Sequence, residues 1–394
     1  MYRGLTQFLS SLVLSCFVAT AFSEVPVDNF SSKLSQQLLS EDNGNKNLFF
    51  SPYSAKIALQ MALDGASGKT FDEMKAALGS DVPHFFSTGI ASFQAMAIAS
   101  NYSPNKSYLD EVQKKFQAKV LSVDFAKHKD EAIAMVNHWV VTATDGRIAE
   151  LLSPQDVNQY TKLILLNAVS FKQPWASSFS IERTKKAPFK TAAGRELQVE
   201  MMNKEDYFPY AEDINACYLE LDFQEGRKEK LEDEQNEYKN EPKYSCLIVL
   251  PKDQDALEAL QKGFTYKTFT DWRALLRDEY VDFFLPKVTI DWKDDLKNEL
   301  KNLGIDDAFD PKKADFSRLS SKNDLYIGKV IHGARLRLDE RGLEAQAATA
   351  VSMMMKTMAP PQYKIIMQCD HPFLLFVFEK KSGDILFVGR VSTP

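Results

Sequence analysis

Residues 339–361 read DERGLEAQAATAVSMMMKTMAPP. The segment opens with charge, passes through small residues from Leu343, becomes a methionine cluster broken by Lys356, and ends in two prolines. A buried helix would carry a wider apolar stripe, and a linker has no need of so regular a pattern. Read as a strand from Leu343 to Ser352, it places Leu343, Ala345, Ala347, Thr349 and Val351 on one face, all uncharged. Glu344, Gln346, Ala348, Ala350 and Ser352 fall on the other. Such a strand lies over a core on one side, and its side chains are small enough to slip between existing strands. An alanine-rich helix is the competing reading, because alanine has the highest helix propensity. The local sequence leaves both open.

The chain around it has 394 residues, 44% hydrophobic and 26% charged, which is ordinary globular composition with material for a large core. No Pro/Gly/Ser-rich linker or internal repeat divides it, so a single large domain is expected. A formal net charge of −6 argues against nucleic acid as a partner, which calls for a clustered basic face.

The N-terminus, MYRGLTQFLSSLVLSCFVATAFSEV, has an early cation at Arg3, an apolar centre from Phe8 to Val18, and small residues Ala21 and Ser23 before Glu24. This is the pattern of a signal peptide over residues 1–23, leaving a mature chain of residues 24–394 that is secreted. Ser10, Ser11, Ser15 and Thr20 interrupt the run, so it is not read as a membrane anchor, and no membrane partner is expected. Cys16 leaves with the signal. Cys217, Cys246 and Cys369 remain, too few for a disulfide framework, with a Cys217–Cys246 bridge and buried free thiols both open. Asn29, Asn101 and Asn105 each begin a glycosylation sequon, and Pro104 weakens the second.

Along the chain, the first third has a mainly helical pattern: VDNFSSKLSQQLL, SPYSAKIALQMALDGASGKTFDEMKAAL, and a long segment through AIAMVNHWVVTATDGRIAELL. Ser51-Pro52 has the form of a helix start. Strand signals follow in KLILLNAVSFK, CYLELDF, YSCLIVLP and YVDFFLPKVTI. KDDLKNELKNLG is helical in pattern, and LYIGKVIHGARLRLD, YKIIMQC, PFLLFVFEK and ILFVGRVS close the chain as strands. Helices and strands mix without βαβ alternation, which predicts an α+β fold. The charged run EGRKEKLEDEQNEYKNEPK reads as a solvated loop.

No enzyme is expected. His84, His128, His138, His332 and His371 include no HExxH pair, and the sequence has no GxSxG elbow or P-loop. Met353, Met354, Met355 and Met358 lack His or Cys neighbours that would turn them into a copper site, so no metal or cofactor is expected.

The opening stretch resembles the reactive-centre loop of the serpins, whose hinge joins an acidic residue, a glycine and a run of small residues; here these are Glu340, Gly342, Glu344 and AQAATA. Four further segments resemble the family in order: NLFFSPYSAKIALQMALDGASGKT, LLNAVSFKQPWASSF, LYIGKVIHGARLRLDERG and CDHPFLLFVFEKKSGDILFVGRVSTP. The resemblance implies three β-sheets surrounded by about nine helices, with an exposed loop over about residues 340–361. It implies a hinge of Glu340, Gly342, Leu343, Glu344, Ala345, Ala347, Ala348 and Thr349, a shutter of Ser51, Ser54, Asn167 and His332, and a breach at Trp175.

By the family's mechanism, a serine protease attacks the loop and is trapped as a covalent acyl-enzyme when the cut loop inserts into the main sheet. Counting from Glu340, the scissile bond falls at Lys356-Thr357, which suits a trypsin-like pocket ending in Asp. Met355-Lys356 is the alternative, favouring chymotrypsin- or elastase-like targets, and a non-inhibitory carrier or storage role is the other alternative. Leu343 departs from the family, which usually places a smaller residue there; its bulk is expected to slow insertion. A monomer is expected. Lys114, Lys115, Lys119, Lys127 and Lys129 are read as a solvated helix face, with weak glycosaminoglycan binding as the second reading.

Overall fold

Ser51 caps the helix that the sequence announces: its hydroxyl accepts from the Ser54 amide, and Pro52 occupies the first turn, where no backbone N–H is needed. In the computed structural model, which describes residues 29–79, 90–224, 242–322, 324–343 and 363–394, eight α-helices and sixteen strands are found. In chain order these begin α1 (Asn29–Ser40), β1 (Leu48–Phe50), α2 (Pro52–Gly65), α3 (Gly68–Leu78), β2 (Ile90–Ala99), α4 (Lys106–Phe116), β3 (Lys119–Val123) and α5 (Lys129–Ala143). A long β region follows: β4 (Leu163–Phe171), β5 (Gln173–Pro174), β6 (Lys185–Lys190), β7 (Glu196–Glu212), β8 (Ala216–Asp222) and β9 (Tyr244–Pro251). After α6 (Gln254–Lys262) and α7 (Tyr266–Leu275) come β10 (Arg277–Pro286), β11 (Val288–Asp295) and α8 (Lys297–Asn302). The chain closes with β12 (Ile327–Asp339), β13 (Gly342–Leu343), β14 (Ile365–Gln368), β15 (Phe373–Glu379) and β16 (Ile385–Val391).

Hydrogen bonds join these strands into a nine-stranded sheet, β1-β16-β15-β9-β8-β7-β10-β14 with β6 on β7, and a seven-stranded sheet, β3-β2-β4-β12-β13-β5 with β11 on β12. The larger sheet has two portions, because β7 touches β8 only through Tyr210–Glu212 and otherwise pairs with β6 and β10. Three sheet regions are therefore present, two of them continuous. One hydrophobic cluster lies beneath the helices, with Leu34, Phe50, Ile57, Met61 and Phe376; a second, with Phe171, Trp175, Phe283, Leu336 and Phe387, lies between the sheets. A third lies under α5, where Val136 and Val140 meet Ile164 and Leu166 of β4.

The mainly helical reading of the first third needs correction: α5 stops at Ala143, so residues 144–152 of the expected helical segment are not helical, and β1, β2 and β3 interrupt the helices. IASFQAMAIA is β2, a strand between β3 and β4. Its alanines favour a helix locally, but Ala95 and Ala97 are fully buried under α5's cluster, and tertiary packing overrides propensity.

Candidate functional site

The feature that sets this fold apart is a seam in the seven-stranded sheet. From Ile327 to Arg335, β12 runs parallel to β4 and pairs with it directly. Above Arg335 the two part, and β13 stands between β12 and β5, the short strand that follows β4: Leu343 pairs with Leu338 of β12 and with Gln173 of β5, antiparallel to both. A strand growing downward from β13 would replace one parallel ladder by two antiparallel ones, the better-aligned form of pairing.

Gly342 makes this start feasible. Its φ is +146°, and a Cβ there would lie 2.3 Å from the Gln173 carbonyl oxygen and 2.6 Å from the Pro174 Cα. Only glycine tolerates that approach. Leu343 is 1% exposed and belongs to the same buried cluster as Leu338, Trp175 and Phe179. Its bulk is therefore already housed within the sheet, which removes the expected steric obstacle at that position. Of the uncharged face predicted for the strand, Leu343 is turned to the core, and Ala345, Ala347, Thr349 and Val351 lie outside the described residues.

The top of the seam is held by backbone bonds that the sequence does not advertise. The Trp175 amide donates to the Arg341 carbonyl at 2.9 Å, its indole N–H to the Asp339 carbonyl at 3.1 Å, and the Phe179 amide to the Glu340 carbonyl at 2.8 Å. The Trp175 ring stacks on Phe223 with centroids 4.7 Å apart. The Glu340 carboxylate accepts from the Thr184 hydroxyl at 2.9 Å and faces Lys287 Nζ at 3.4 Å. Burial would raise its pKa, but its own backbone N–H, Thr184 and Lys287 together hold it below the ordinary carboxylate value.

Beneath the seam, Ser51, Ser54, Asn167 and His332 come together as one buried network. The Ser51 amide donates to His332 Nε2 at 3.0 Å, so the ring's proton sits on Nδ1 and is donated to Asn167 Oδ1. Asn167 Nδ2 donates to Ser54 Oγ at 2.7 Å, which lies 2.6 Å from Ser92 Oγ. Gln94 Nε2 also donates to Ser92, at 2.5 Å. Ser92 and Gln94 have no signal in the sequence, because they join the network only through the pairing of β2 with β4. Complete burial pushes the His332 imidazole down to about 3, so the ring is neutral.

Glu344, Ala345, Ala347, Ala348, Thr349, Met355, Lys356 and Thr357 lie outside the described residues, as do the signal segment and the charged run 225–241. Asn29 and Asn101 are exposed. Asn105 is otherwise engaged: its amide donates to the Arg318 carbonyl at 2.8 Å. Cys217, Cys246 and Cys369 are free, and β8–β9 pairing sets Cys246 opposite Leu221, well along the strand from Cys217, so the Cys217–Cys246 bridge is absent. Lys115 is paired with Asp64 at 3.1 Å and Glu111 at 2.5 Å, which breaks the basic character of the α4 face. Among the described residues no cluster of His, Cys, Asp and Glu is arranged to hold a metal.

Comparison with known proteins agrees with this geometry. Residues 26–394 match the family described as Serpin (serine protease inhibitor). The chain is 34% identical to Serpin B6 of Pongo abelii over 90% of its length and 95% of that protein's. It is 32% identical to the leukocyte elastase inhibitor of Xenopus tropicalis, with the same shares covered. Among solved structures, human thyroxine-binding globulin superposes with a TM-score of 0.78 at 27% identity, covering 93% of this chain and 97% of the other.

Proposed function

The chain belongs to the serpin family, and from that premise we propose that it is a secreted, monomeric inhibitor of serine proteases that acts once, by cleavage and insertion of its own loop. The observation that carries this reading is the strand already begun at Gly342–Leu343, antiparallel to both walls of a parallel seam. About a dozen further residues, each gaining a net hydrogen bond of about 1 kcal/mol, would release on the order of 10 kcal/mol. That rivals the stability of a whole domain, enough to drag and deform an attached protease.

Lys356 directs the loop to trypsin-like enzymes, whose primary pocket pairs an Asp with a basic side chain. A second reading, cleavage after Met355, has the support of a relative named as an elastase inhibitor. Incubation with trypsin or elastase and denaturing electrophoresis distinguishes them: an SDS-stable band of combined mass marks the trapped enzyme. A cut chain without adduct from either protease would leave the carrier role. N-terminal sequencing of the secreted product is expected to begin at Glu24.

A further inference from the structure

The loop's far end returns to the other sheet through β14, which among the described residues is an edge strand paired with β10. Full insertion of an uncut loop beside β12 would pull on that strand. The 19 residues between Leu343 and Tyr363 can span at most about 60 Å, and a segment that descended the seam would also have to return to β14. What fastens β14 at its end therefore governs whether the uncut loop can enter the sheet.

The fastening runs through residues 369–372. The Cys369 amide donates to the Phe284 carbonyl at 2.9 Å, and the Lys190 amide of β6 donates to the Asp370 carbonyl at 2.7 Å. His371 completes it: Nδ1 lies 2.7 Å from Asp370 Oδ1, and Nε2 lies 2.7 Å from the Pro251 carbonyl oxygen at the end of β9. Both partners only accept hydrogen bonds, so both contacts are made together only by a ring carrying two protons. We propose that His371 is a protonation-controlled clasp: as an imidazolium it makes both contacts, and when it loses one proton the remaining N–H stays with the Asp370 carboxylate, the stronger acceptor, and the tie to the end of β9 at Pro251 is released.

The surroundings favour the charged ring. Burial pushes it down, but Asp370 and the Pro251 carbonyl outweigh burial and hold it above the ordinary histidine value, with Lys190 opposing. A cavity of about 560 Å³ lined by His371, Asp370 and Lys190 also presents Lys252 and Asp253 from the β9–α6 junction and Glu196 from β7. A folded value raised above the unfolded one means that the tie is complete in mild acid and is lost as pH rises through the folded value. The clasp itself does not depend on inhibition; only its consequence, easier insertion of the uncut loop, rests on the proposed mechanism.

Cys369 supplies a reporter, since its thiol is fully buried beside the clasp, while Cys246 is equally buried within the β8–β9–β15 pairing. The native chain is treated with iodoacetamide at about pH 6 and about pH 9, and alkylation at each cysteine is read by peptide mass spectrometry. Each rate is divided by that of the denatured chain at the same pH, which cancels thiolate formation. Cys369 labelling is expected to rise roughly tenfold or more across this range, with Cys246 unchanged. In His371→Gln it should be fast at both values. In Asp370→Asn, which removes the carboxylate partner, the rise should move to lower pH. A flat wild-type profile, or a His371→Gln profile identical to wild type, overturns the proposal. Should His371→Gln fail to fold, an unshifted profile in Asp370→Asn overturns it.

Discussion

Asn167 and His332 stand opposite each other across the parallel β4–β12 ladder, joined side chain to side chain at the place where, on the proposed mechanism, a new strand would part the sheet. The bond closes the seam, and only a neutral His332 makes it while also accepting from the Ser51 amide at Nε2. A positive ring would set a second N–H against the Ser51 amide, which is itself a donor.

Acid should therefore weaken the seam. The ring's ordinary value is 6.5 and its folded value about 3, so the unfolded chain takes up the proton first as pH falls. The contribution is complete above about pH 6.5 and is lost progressively toward pH 3, up to roughly 4–5 kcal/mol. His332→Phe, which cannot titrate, should be less stable than wild type at neutral pH, because the Ser51 amide and Asn167 lose their partner. The gap in thermal midpoint between the two should close as the pH is lowered. A constant gap would mean that His332 is not the group responsible.

Gly342→Ala should expel the start of the inserted strand. The added Cβ meets only backbone atoms, at 2.3 Å, 2.6 Å and 2.9 Å, none of which can rotate away. Leu343 would then leave its buried site, at a cost of roughly 1.5–3 kcal/mol. A lowered melting temperature and faster tryptic cleavage after Arg341 are expected. A variant as stable and as resistant as wild type would show that β13 is not held in the sheet.

Much of this was legible because the hinge and shutter depend on residue type. A glycine is demanded at position 342 by backbone contact, and Ser51-Pro52 writes its own helix start. Thr184 and Lys287, which hold Glu340, could not be read from the sequence, since both come from distant segments and carry no local pattern. β2 was hidden for the opposite reason: its alanines speak for a helix, and only burial between β3 and β4 makes them strand residues. The long hairpin strand β7 went unread because its buried positions, such as Val199, Met202 and Phe208, alternate imperfectly with charge.

Thr349→Arg should convert an inhibitor into a substrate. Leu343 faces the core, and alternation carries Ala345, Ala347 and Thr349 to the same side of a growing strand. An unpaired guanidinium buried there would cost several kcal/mol. Acylation of the protease precedes burial of that position, so cleavage should continue while the SDS-stable adduct disappears. Retention of the full adduct would refute insertion as the trapping step.

The peptide released from a denatured and hydrolysed complex identifies the bond the protease chose. If Lys356 fills the primary pocket, that peptide begins at Thr357 and ends at Pro394. Lys356→Ala removes the cation that pairs with the pocket carboxylate and leaves that buried charge without a partner. Inhibition of trypsin should then fall by orders of magnitude. Reaction with chymotrypsin- or elastase-like enzymes should persist, because Met353, Met354, Met355 and Met358 all remain available to an apolar pocket. Mass spectrometry of the released peptide separates the two cases directly. A product beginning at Lys356 would assign the primary position to Met355 and move the target from trypsin-like proteases to those that prefer an unbranched apolar side chain.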